Sequence, residues 1–149
     1  MIRINEVVYL GIEDFETLVN QLRDAKEEFS EDMPPFQTRY AGRLESIVEQ
    51  IQSIYFGIEL YPSLEEKASR LFYLINKNHP FLNGNKRIAV MAFFVFLSLN
   101  VEELYFDEDT INNELFEIAT ITAASFPDQI DEIMDMLMTK TNQYINFKK

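Results

Sequence analysis

The sequence predicts an all-α domain wrapped around one central buried helix. Apolar residues recur at helical spacing along most of the chain. Ten consecutive residues, Ile88 to Leu97, are apolar, so the helix they form has no face left for water. All five prolines and all four glycines fall at or between the proposed helix ends.

Taken in order, Phe15, Leu18, Val19, Leu22 and Phe29 mark a first helix over residues 13–29. Leu44, Ile47, Val48, Ile51 and Tyr55 mark a second over 43–56, and Leu64, Ala68, Leu71, Phe72 and Ile75 a third. The third opens with "SLEE", where Ser63 can cap and Glu66 can reach back, a capping box. A fourth runs from Asn85 to Leu99 and is the central one. Its ten-residue apolar run is short of the roughly 20 residues a membrane span requires. Leu115, Ile118, Ala119 and Thr122 define a fifth helix, and Ile130, Ile133, Met134, Leu137 and Tyr144 a sixth. Residues 30–42 and 101–107 read as non-helical connections. No repeat or low-complexity tract interrupts the pattern.

Composition narrows the function classes. At 149 residues, 47% of them hydrophobic, the chain suits one domain, 1–149, burying roughly 70% of its unfolded surface. It has no cysteine and one histidine, which excludes disulfides, thiolate zinc sites and paired-histidine metal motifs. A net charge of −12 argues against a nucleic-acid binder, favours basic partners and serves solubility. The N-terminus, "MIRINEVVYLGIEDFETL", turns acidic at once and does not read as a signal peptide, so a cytoplasmic protein without membrane attachment is expected.

The single histidine lies in "NHPFLNGNKRIAV", on a polar loop feeding the central helix. Gly84 lets the backbone approach a ligand closely, and the helix start that follows offers unpaired N–H groups and about half a positive charge. Asn85 can cap the helix or offer its amide. Lys86 and Arg87 sit at the end of a helix where cations are disfavoured, a cost that a bound anion would offset; the competing reading has them reaching into solvent. His79, biased toward an extended backbone by Pro80, is placed to take a proton from an attacking hydroxyl, although a lone histidine is often structural. Phe81 reads as the plug that holds the loop to the core.

"HPFLNGNKR" resembles the signature of the Fic/Doc (Fido) family, His-Pro-Phe-x-Asp/Glu-Gly-Asn-Gly/Lys-Arg, and departs from it only at Asn83. The resemblance extends through "GRLESIVEQ", "YPSLEEKASRLFYLINKN" and "AVMAFFVFLSLN", spanning residues 42–100, and favours the Doc-like (death-on-curing) branch. It implies a Fido-type helical domain that transfers a phosphoryl or nucleotidyl group from ATP or a related nucleotide to a Ser, Thr or Tyr hydroxyl of a target protein. In that reading His79 is the base, Gly84, Asn85 and Arg87 hold phosphate, and Lys86 orients the nucleotide toward phosphoryl transfer. The residue matching Asn83 normally helps hold Mg²⁺; an asparagine keeps an oxygen but loses the charge, which implies weak metal binding.

The resemblance also implies a short β-hairpin flap that clamps the target as an added strand, for which residues 34–42, "PPFQTRYAG", are the candidate. The nearest string to the family's inhibitory helix, "TINNEL" at residues 110–115, reads as a helix start. Without an inhibitor in the same chain, a separate antitoxin or inhibitory protein is expected, and a homo-oligomer is allowed. The alternative is a Fido-fold binding module whose transfer site has degenerated, a reading that Asn83 supports.

Overall fold

The structure is a computed structural model that describes residues 1–4, 6–25 and 32–145. Two three-residue strands, β1 (Ile2–Ile4) and β2 (Val7–Tyr9), pair antiparallel, with Ile2 opposite Tyr9. Helix α1 (Ile12–Asp24) follows, then an irregular segment with one 3₁₀ turn at Phe36–Thr38, then α2 (Arg43–Ile51). A second hairpin, β3 (Ile54–Tyr55) and β4 (Ile58–Glu59), leads into α3 (Leu64–Asn78). The motif loop joins α3 to α4 (Asn85–Asn100), and α5 (Glu108–Ala124) and α6 (Ile130–Ile145) complete the fold. The architecture is all-α with two small hairpins, as expected of a Fido-type domain.

Local chemistry explains the helix boundaries. The Ser63 hydroxyl accepts from the Glu66 N–H at 3.0 Å, so the N-cap half of the box read from "SLEE" forms, without the return bond from the Glu66 side chain. Asp107 caps α5 through the Thr110 N–H at 2.8 Å, which holds its carboxyl below the usual range. Residues 110–115 therefore lie in the first turns of α5, a helix start as read.

Helix α4 packs against α3, α5, α1 and β2. Ile88, Ala89, Ala92, Phe93, Phe96 and Leu97 are buried, and Phe93 meets Phe72 of α3 edge to face at 5.8 Å. Burial on every side was expected, but Met91, Phe94 and Val95 form a stripe that is only partly covered. The surrounding elements bury most of α4 but leave this stripe half-buried. At its far end Asn100 exchanges two 2.8 Å bonds with the main chain of Val8, fastening the N-terminal hairpin to the central helix.

Three sequence readings change. Helix α1 ends at Asp24, and Phe29, assigned to it by periodicity, lies outside the described residues. Helix α2 stops at Ile51; Tyr55 sits four residues on and mimics another helical turn, yet belongs to β3. The candidate flap at 34–42 contains no strand: Phe36 is buried and the segment turns through 3₁₀ geometry. The strands lie at residues 54–59, where Phe56 (φ 53°) and Gly57 (φ 79°) form the positive-φ pair that closes a tight hairpin. No helix among the described residues is long and apolar enough to cross a membrane.

Candidate functional site

The site is built where α3 ends and α4 begins. The His79 N–H closes the last turn of α3 onto the Ile75 carbonyl at 3.3 Å. His79 itself is exposed, whereas Pro80 and Phe81, which follow it into the loop, are buried. Its backbone is not extended: φ 47° and ψ 64° put it in the left-handed region, against the preference imposed by the following proline.

Phe81 is the plug, packed beside Phe36 with ring centroids 6.2 Å apart. Asn85 is buried and spends both ends of its amide on Phe81, accepting from the N–H at 3.0 Å and donating to the carbonyl at 2.9 Å. Its side chain therefore shapes the loop, and only its main-chain N–H remains for an anion. Gly84 is the N-cap of α4 with φ 80°, and a β-carbon there would overlap the sulfur of Met33. Glycine is thus required twice over, by conformation and by the methionine seated against it.

Lys86 and Arg87 occupy the first turn of α4, half-buried. The Arg87 guanidinium lies over the Phe116 ring of α5 at 4.2 Å, which ties it to the neighbouring helix. Asn83 is exposed and donates its amide nitrogen to the Asp32 carbonyl at 3.0 Å, while Arg23 donates to the Met33 carbonyl at 2.8 Å. These two bonds lay the 32–34 segment along the loop. A hollow of about 470 Å³, lined by Arg23, Asp24, Asp32, Met33 and Pro34, opens on that side. Another of about 510 Å³, lined by Ala41, Gly42, Arg43, Ser46 and Asn78, opens beside His79.

The loop thus brings His79, Asn83, Gly84, Asn85, Lys86 and Arg87 to one end of α4. No cluster of three or more His, Cys, Asp or Glu able to hold a metal occurs among the described residues. At position 83 the amide nitrogen faces a carbonyl and the remaining oxygen is neutral, so the donor set does not fit a divalent cation unaided. The sequence reading did not single out Met33, Arg23, Tyr40 or Arg43 as parts of the site. Arg43 falls inside the quoted "GRLESIVEQ", but nothing in its spacing signals a partner 36 residues away.

An all-α domain with small hairpins, carrying this loop at the mouth of its central helix, defines the class: the chain belongs to the Fic/DOC family, whose model matches residues 1–97. That match reaches upstream of the 42–100 likeness and takes in α1 and the N-terminal hairpin. Among individual proteins the chain is similar to Toxin Doc of Mycolicibacterium smegmatis, 35% identical over 86 residues. The match covers 56% of this chain and 66% of that toxin, just under two thirds of its length. No solved structure matches the chain.

Proposed function

We propose that the chain is a Doc-like transferase that moves a phosphoryl or nucleotidyl group from ATP or a related nucleotide to a Ser, Thr or Tyr hydroxyl of a target protein. One observation carries the reading. An exposed histidine is fixed at the end of α3, five residues ahead of a glycine-capped helix start that bears Lys86 and Arg87. The helix N-terminus and two cations suit the charge of a phosphate chain. His79 takes the proton as the target hydroxyl oxygen attacks phosphorus. The new O–P bond forms as the bond to the leaving ADP, or pyrophosphate for AMP transfer, breaks. Lys86 and Arg87 hold the phosphates and the main chain at Gly84 and Asn85 cradles them. Mg²⁺, weakly held through Asn83, would arrive with the nucleotide's own phosphates.

The β3–β4 hairpin takes over the target-docking part first assigned to residues 34–42. Its exposed strand edges and fully exposed Phe56 suit pairing with an extended target segment. The similarity to a protein named Toxin Doc supports a toxin role with a separate antitoxin, and a surface of net charge −12 favours a basic antitoxin segment.

Nucleotides labelled at the α or the γ position, mixed with the protein in a cell lysate, test the reading. Label transferred from γ means phosphoryl transfer and from α means adenylylation. Transfer of neither leaves the second reading, a binding module, which the neutral Asn83 favours. His79→Ala should abolish transfer, and Asn83→Asp should raise Mg²⁺-dependent transfer.

A further inference from the structure

The backbone of His79 is held in a conformation that two rules disfavour. Residues other than glycine rarely enter the left-handed region, and a residue before proline is pushed toward extended angles. His79 is both, at φ 47° and ψ 64°. Such a residue persists only where its surroundings over-determine it.

The surroundings are a clamp from the start of α2. The Arg43 guanidinium donates through Nη1 to the His79 carbonyl at 3.1 Å and to the Asn78 carbonyl at 3.4 Å. The Tyr40 N–H donates to the carbonyl of buried Pro80 at 3.0 Å. Arg43 also stacks over the Tyr40 ring at 4.0 Å, so the two arms brace each other. The carbonyls it grips are among the last of α3, which carry the helix's partial negative charge and suit a cation.

We propose that Arg43 is a positioning residue for His79: by gripping the carbonyl on one side of the left-handed turn, it sets the direction in which the imidazole leaves the chain. Its importance for catalysis rests on the reading of His79 as the base, but its effect on the ring does not. Arg43 is exposed, so replacing it opens no cavity and the fold should survive.

Because the chain has a single histidine, the imaging of its ring by ¹H–¹⁵N imidazole spectra of the full-length protein needs no assignment. Arg43→Met should shift or broaden the His79 ring signals. Arg43→Lys, which keeps a donor, should restore them most of the way, and Ser46→Ala, in the same hollow, should leave them in place. In the transfer assay Arg43→Met should lower kcat by roughly tenfold, as a misplaced base does, with KM for the nucleotide changed less than about twofold. Ring signals in Arg43→Met that superimpose on the native ones overturn the proposal. So does a raised KM with kcat and ring signals unmoved, which would make Arg43 a ligand contact. If the ring moves but the native protein transfers neither label, the positioning stands and the transferase reading is what fails.

Discussion

Gly84 is the residue on which the loop's geometry turns. Its φ of 80° costs an L-residue about 1–2 kcal/mol, and Met33 occupies the space a β-carbon would take. Gly84→Ala should therefore lower the urea midpoint by more than the conformational cost alone. In a Met33→Ala background the overlap disappears and the strain remains, so the double-mutant cycle should show a coupling of about 0.5–3 kcal/mol. Asn85→Ala strands the N–H and carbonyl of buried Phe81, each orphan costing about 1–3 kcal/mol. Asn85→Asp keeps the acceptor but turns a carboxylate toward the carbonyl, and should rescue little. The motif residues were legible as a set because their types and spacing suit a phosphate. Their partners were not: Met33 and Asp32 come from the far side of α2, and periodicity carries no information about which loop lies on which.

The β3–β4 hairpin shows the same division between elements. It is joined to α3 by Lys67, a buried lysine whose ammonium donates to Glu59 at 2.9 Å and to the Tyr61 carbonyl. Lys67→Met keeps the apolar stem and leaves that carbonyl and the carboxylate unpaired. A loss of about 1–3 kcal/mol in unfolding free energy is expected. Hydrogen exchange should quicken at the Leu60 N–H, which bonds to the Ser53 carbonyl at 2.9 Å across the hairpin base. Helix α3 was readable to its first residue because Ser63 and Glu66 form a local signal. The hairpin was not, because Ile51 and Tyr55 keep helical spacing across a two-residue strand. The proline-rich 34–42 stretch mimicked a flap for the converse reason: prolines and glycines mark turns without saying which element they turn between.

At the scale of the whole molecule, alkaline pH should test how tightly the helices close on their aromatic residues. Burial, and then the nearby Glu59 carboxylate, push the Tyr9 phenol from 10.0 up to about 12. Burial, and then the Glu114 carboxylate that Tyr144 donates to, raise the Tyr144 phenol as well. Both phenols hold their protons more tightly folded than unfolded. The stability this represents is intact below about pH 10 and drains away as pH rises through 12. Urea midpoints measured along that range should fall, and Tyr9→Phe should flatten the fall. The central helix was legible from its ten apolar residues, but the half-buried Met91–Phe94–Val95 stripe was not, since hydropathy counts faces without counting neighbours.

The bond from Asn83 to Asp32 joins parts of the chain 51 residues apart, and it confounds the most obvious experiment on this site. Installing aspartate at 83 adds a negative charge for a cation and simultaneously cuts the tether to the upstream segment, since a carboxylate has no hydrogen to give. A gain in turnover could then come from either change. Asn83→Ala, which severs the tether while adding no charge, is the control that tells them apart: only a gain confined to the aspartate variant belongs to the metal.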